Sequence, residues 1–242
     1  MEQFIRRFLN ALPRVVQRLL TWRGPDIRFL HFAAWVLLVG ALLLGLLVTF
    51  QPVLEVDVDF SQELQETKSP LLDALMEGIS WFGSSAGAVI SVVIGAALLY
   101  CSGLKRAGWT TLATLFITPL ILVLKILFDR PRPSADLINV MYKATQQSFP
   151  SGHVVFYTVF FGFIVYLSFV HPTGHRRFDW LIRLGLAALI IGVSYSRIYL
   201  GAHWLTDVIA GYAVGLAGLF MYCQSYARWL YNGGIASPDK QS

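Results

Sequence analysis

The chain has 242 residues, 56% of them hydrophobic and only 14% charged, with a formal net charge of +5 and a mean hydropathy of +0.60. Soluble globular domains carry about 25% charged residues, so the composition excludes one and points to a single membrane-embedded domain. The basic excess does not indicate nucleic acid, because most of the Lys and Arg residues flank apolar runs, where membrane topology places them. Cys101 and Cys223 lie in apolar runs without metal or redox spacing and read as small buried hydrophobes.

Residues 1–28 form a basic segment in which Arg6, Arg7, Arg14, Arg18 and Arg23 are interleaved with apolar residues. The pattern predicts an amphipathic helix lying on the cytoplasmic membrane surface, against anionic lipid. The apolar run from Phe29 to Phe50 is too long for a signal-peptide core and lacks a small-residue cleavage site, so it is expected to be a first, uncleaved span. An acidic stretch follows, with Glu55, Asp57, Asp59, Glu63 and Glu66. Residues 70–84 then read as a short amphipathic helix at the interface, with Asp73 and Glu77 on its polar side. Further spans are predicted at about 83–101, 109–128, 151–170, 181–195 and 204–226, each near the roughly 20 residues a bilayer requires. The small residues of the second span suit close helix packing. Residues 227–242 read as a polar tail. The expected fold is therefore an all-α, six-span integral-membrane bundle occupying residues 29–226, preceded by an amphipathic helix.

Charge sets the orientation. With the N-terminus inside, the inner segments hold Lys105, Arg106, Arg176, Arg177, Arg183, Arg228 and Lys240 besides the N-terminal arginines, and the outer ones hold Lys68, Lys125, Arg130, Arg132, Lys143 and Arg197. The positive-inside rule then puts both termini in the cytoplasm. This topology brings four polar points to the outer face: Lys125 to Pro133, Ser151 to His153, Ser196-Arg197, and His203 to Asp207. Ionisable residues that converge at span ends mark a functional site.

The chemistry of these residues is consistent. Lys125, Arg132 and Arg197 offer charge and planar forks to phosphate oxygens. Ser151 and the Gly152 N–H would add donors at a helix N-terminus, where an anion is favoured. Arg130, separated from Arg132 by Pro131, reads as solvated. His203 and Asp207 stand four residues apart on one helix face. A carboxylate there would fix the imidazole tautomer and leave the other nitrogen as a nucleophile. His153 would be the acid that protonates the departing oxygen and then the base that activates water. No metal is expected among so many cations, since a zinc site needs three or four converging N, S or O ligands. No cofactor is expected either.

Three motifs carry a resemblance. Lys125 to Pro133 matches K-x6-R-P, Pro150-Ser151-Gly152-His153 matches P-S-G-H, and Ser196 to Asp207 matches S-R-x5-H-x3-D. Together, in this order, they resemble the signature of the type 2 phosphatidic acid phosphatase superfamily, with no departure at a motif position. The resemblance implies metal-independent hydrolysis of lipid phosphates through a phosphohistidine. It implies the same roles for Lys125, Arg132, Ser151, Gly152, His153, Arg197, His203 and Asp207. Undecaprenyl diphosphate, phosphatidylglycerophosphate and phosphatidic acid fit an outward-facing site, with the first slightly favoured on topology. A phosphotransferase using the same His203 intermediate is the alternative enzyme. A transporter fits less well, because the ionisable groups are confined to one end of the spans. Lipid phosphate and membrane lipid are the expected partners. The sequence leaves the oligomeric state open.

Overall fold

The computed structural model describes residues 27–142 and 146–232. The expected N-terminal amphipathic helix, Lys143 and residues 233–242 of the expected tail lie outside the described residues. The described residues contain helices and loops and no strand.

The first helix, α1 (Ile27–Phe50), is about 36 Å long at a rise of 1.5 Å per residue, enough to cross a bilayer core. The acidic stretch after it is helical, as α2 (Glu55–Gln65), and is turned inside out. Asp57, Ser61 and Gln65, at four-residue spacing, are buried, while Val56 and Phe60 are exposed. Two helices with separate caps follow. Helix α3 (Pro70–Trp81) begins with Ser69 Oγ accepting from Leu72 N at 3.2 Å and Pro70 in the first turn, where its missing N–H does no harm. Helix α4 (Ser85–Cys101) begins with Ser84 Oγ accepting from Gly87 N at 3.0 Å. The two are bent by 60° at the break between them.

The next span is interrupted. Helix α5 (Lys105–Ala113), a single 3-10 turn (Thr114–Phe116) and α6 (Ile117–Phe128) follow one another. The break falls where Pro119 has no N–H to offer the Leu115 carbonyl. Helix α7 (Gly152–Val170) matches its predicted limits, whereas α8 (Arg176–Tyr199) starts earlier than expected and α9 (Leu205–Asn232) runs six residues into the predicted tail. Among the described residues, five segments are long and apolar enough to cross a membrane; α3 and α4, taken as one broken span, would make a sixth.

Helix α9 packs along α7 and α1, and α8 packs against α7 and α3. Close approach of α9 to α7 depends on small residues of α9. A Cβ at Gly215 would stand 2.7 Å from Thr158 Cβ, and one at Gly211 would stand 3.0 Å from Ser151 O. The core on the side of α7 towards α4 and α8 is aromatic, with Phe156 and Phe160 stacked at 5.4 Å and Tyr157 and Phe161 edge-on at 5.0 Å, packed with Val92 and Val193. Polarity is inverted at the rim of the bundle: Ile126 and Leu127 are each 64% exposed, while Lys125 beside them is 4% exposed. Cys223 is buried as expected, but Cys101 is exposed at the end of α4, outside the core.

The loop joining α8 to α9 turns at Gly201, where φ is +63° and a Cβ would lie 2.3 Å from Asn139 O. Gly201→Ala is therefore expected to destabilise the protein by at least about 1–2 kcal/mol, from left-handed strain and backbone collision together. Thermal unfolding in detergent measures this, and an unchanged midpoint would show that the turn relaxes freely.

Candidate active site

The four polar points of the sequence do meet at one end of the bundle. The C-terminal turn of α6 carries Lys125, and Asp129 closes that helix in a left-handed conformation with φ 42°. Lys125 Nζ donates to Gln147 O at 2.5 Å and approaches Ser148 O at 3.4 Å. Arg132 is held by backbone as well: Nε donates to Gln146 O and one terminal nitrogen to Ala202 O, both at 2.6 Å. That same nitrogen lies 3.4 Å from His203 Nε2. Arg197, buried in the last turn of α8, donates to Ser80 Oγ at 2.5 Å and lies 4.6 Å from the ring centre of Tyr142. Among the described residues, none of these three cations is paired with a carboxylate.

Ser151 caps α7 without using its hydroxyl. Its N–H donates to Asp207 O at 3.0 Å, which ties the start of α7 to the start of α9. Ser151 Oγ and Arg197 Nε are both buried and have no hydrogen-bond partner among the described residues. Such orphaned donors cost about 1–3 kcal/mol each, and an anion seated among them would satisfy both. A Cβ on Gly152 would sit 3.3 Å from Ile121 Cγ2 and 3.9 Å from Lys125 Cε, so the first turn of α7 packs closely against the end of α6 that carries the lysine. His153 follows, its ring pressed against Gly83, where a Cβ would come within 2.4 Å of Cδ2. His153 also lines a cavity of about 240 Å³ whose walls include Glu77, Ser80, Trp81, Ser84 and Tyr142.

His203 lies between α8 and α9 and is 1% exposed. Burial holds its pKa well below the usual imidazole range, and the positive charges of Arg132, Lys125 and Arg197 push it further down. The ring is therefore neutral near pH 7 with one nitrogen lone pair free. Burial also lowers the pKa of Arg132. The two ring nitrogens of His203 face opposite surroundings. Nε2 faces Arg132, while Nδ1 is 3.5 Å from Asp207 Oδ2 and 3.4 Å from Ser148 Oγ. Ser148 Oγ in turn donates to Asp207 Oδ2 in a short hydrogen bond. The serine hydroxyl thus bridges a gap that the i, i+4 spacing alone was expected to close.

Arg130 is not solvated, contrary to its reading from sequence. It is 1% exposed and forms ion pairs at 2.6 Å with both Asp57 and Asp207. Pro131 turns it away from Arg132 and inward, where two carboxylates compensate its burial. Sequence reasoning also missed Ser148 and Asp57. Ser148 stands in no motif with a chemical meaning. Asp57 could have been found from the 57, 61, 65 polar spacing of α2. Among the described residues, no three His, Cys, Asp or Glu side chains converge.

With this geometry in hand, comparison with known proteins gives a family. The model of the PAP2 superfamily matches residues 104–230. This chain belongs to the PAP2 superfamily. Phosphatidylglycerophosphatase B of Bacillus subtilis is 30% identical over 188 residues, covering 74% of this chain and 88% of that protein. An undecaprenyl-diphosphatase of Sulfolobus acidocaldarius is 28% identical over 190 residues, covering 75% and 85%. The crystal structure of a transmembrane PAP2-type phosphatidylglycerolphosphate phosphatase from Bacillus subtilis superposes with a TM-score of 0.71 at 24% identity, covering 82% of this chain and 98% of that one. The PAP2 chain described here is accordingly a membrane phosphatase with a PAP2-type helical fold.

Because Ser148 links Nδ1 of His203 to Asp207, Ser148→Ala is expected to lower kcat about tenfold, with KM within about twofold. Steady-state kinetics decides this; a wild-type kcat would mean that Asp207 reaches the imidazole without the bridge.

Proposed function

We propose that this PAP2 protein hydrolyses a lipid phosphate or diphosphate through a phosphohistidine on His203. The observation that carries the proposal is the opposed surroundings of the two His203 nitrogens. Nδ1 faces a hydroxyl and a carboxylate that favour its N–H, which leaves the Nε2 lone pair on the side of Arg132 and the orphaned donors. In the first step Nε2 attacks phosphorus, the bond to the departing oxygen breaks, and His153 gives that oxygen its proton. In the second step His153 takes a proton from water as the water attacks phosphorus. The P–N bond breaks and inorganic phosphate leaves. Lys125, Arg132, Arg197, Ser151 and the Gly152 N–H stabilise the charge on the phosphoryl oxygens, which is where such reactions gain most. The names of the relatives support a lipid substrate, and so does the site's position at one end of apolar helices.

In this reading the chain has six spans, with α3 and α4 as the bent one. The site faces outward and both termini are cytoplasmic. The placement of Lys105 and Arg106 at the far end of the Lys105–Phe128 span from Lys125 supports that orientation. The cavity beside His153 is where the departing alcohol or phosphate would lie, open between α3 and the loop at Met141.

Purified protein in detergent with EDTA is expected to release phosphate from at least one of undecaprenyl diphosphate, phosphatidylglycerophosphate and phosphatidic acid. His203→Ala should lower the rate by about 10³-fold or more, and Asp207→Asn by less, since it orients a group that reacts. Full activity of His203→Ala would rule out the nucleophile. Activity lost in EDTA and restored by metal would replace the mechanism with a metal-assisted one.

A further inference from the structure

Behind His203 lies a buried ionic chain that none of the three motifs explains. Arg130 uses its whole guanidinium. Nε donates to Pro52 O at 2.9 Å, one terminal nitrogen to Thr206 Oγ1 at 2.7 Å and Asp207 Oδ1 at 2.6 Å, and the other to Asp57 Oδ2 at 2.6 Å. Asp57 Oδ1 accepts from Thr206 N at 2.9 Å, in the first turn of α9. The Thr206 hydroxyl donates to Asp57 as well, with Oδ2 at 2.8 Å. Asp207 Oδ2 accepts from Trp204 N at 2.9 Å and from Ser148. Asp57, Arg130 and Asp207 are all essentially inaccessible. We propose that Asp57, supplied by α2 from outside the motifs, is a positioning residue for phosphoryl transfer, acting through Arg130 and Thr206 to fix the Asp207 carboxylate and to keep one surplus negative charge behind His203.

The surplus follows from counting ionised groups, two carboxylates against one guanidinium. Attack by Nε2 leaves the imidazole ring of His203 cationic while Nδ1 keeps its proton. The surplus charge lies on the side where that positive charge develops, while among the described residues every other ion facing His203 is a cation: Lys125 of α6, Arg197 of α8 and Arg132 of the loop, with the titratable His153 of α7 alongside. Asp57 also accepts from an N–H at the start of α9 that has no helical partner of its own, so a single carboxylate seats the helix and the charge together. The inference rests on His203 being the nucleophile.

The test measures phosphate release from phosphatidic acid in detergent micelles as a function of pH. Asp57→Asn and Arg130→Gln are each expected to lower kcat about 10- to 100-fold with KM little changed, as outer-shell partners do elsewhere. The acidic limb of kcat/KM should move in opposite directions. Losing the Asp57 charge disfavours protonated His203 and shifts the limb to lower pH, whereas losing the Arg130 charge favours it and shifts the limb to higher pH. Limbs that stay fixed, or move together, would overturn the proposal, because a purely structural role has no reason to split them. If His203→Ala were active, the nucleophile assignment would fail and the inference with it. An inactive His203→Ala beside wild-type-like Asp57→Asn and Arg130→Gln would sink the inference alone. Should either charge variant fail to fold, Thr206→Val decides: it removes the linking hydroxyl without changing charge, and is expected to lower kcat severalfold with the limb in place. Wild-type kcat in that variant would overturn the proposal.

Discussion

Burying a guanidinium at the end of a membrane bundle is costly unless oxygens compensate it, and Arg130 is the point where this protein compensates one fully, with two carboxylates, a carbonyl and a hydroxyl. Its partners come from Pro52 before α2, from Asp57 within it, and from Thr206 and Asp207 at the start of α9. Its own carbonyl accepts from Ser148 N at 2.8 Å. Removing one member of a buried pair leaves the other charge unmatched, at several kcal/mol. These segments are therefore held in one arrangement, and that arrangement fixes where His203 points.

The opposite electrostatic situation holds a few ångströms away. Lys125, Arg132 and Arg197 converge with carbonyls and hydroxyls as partners in place of carboxylates. Carbonyl dipoles orient a cation without neutralising it, so the positive charge stays available to a ligand. One side of His203 is thus satisfied within the protein and the other is incomplete without an anion. That asymmetry is what the proposed nucleophile requires, with one nitrogen held in place and the other presented to the anion.

Much of this was legible in the sequence, for identifiable reasons. Long apolar runs with charge at their ends specify spans, because lipid admits little else, and charged residues that recur at one depth specify a site. The motif spacing already put His203 and Asp207 on one turn, and the structure places them 3.5 Å apart. What was hidden depended on contacts between distant segments. Arg130 looks solvated beside Pro131 because nothing local announces Asp57, 73 residues earlier. Ser148 looks like a loop serine because its importance lies in the gap between His203 and Asp207. The limits of α8 and α9 were drawn short because Arg176 and Arg228 seemed to end the apolar runs, whereas flanking arginines can reach outward while the backbone stays helical. The bend between α3 and α4 falls where Ser84 caps a new helix, a signal that hydropathy does not register.

The zipped pair of α7 and α9 has a bearing on where such a protein can work. His153 sits at the start of one helix and His203 just before the other, and contacts at Gly211, Gly215 and Gly218 run down their shared seam. Membranes of unequal thickness make spanning helices tilt. Two helices locked along a seam tilt as one body, so the distance between their two ends stays the same. In a thinner or thicker bilayer the depth of the site changes, and with it the lipids that can reach it, while the separation of the two histidines does not.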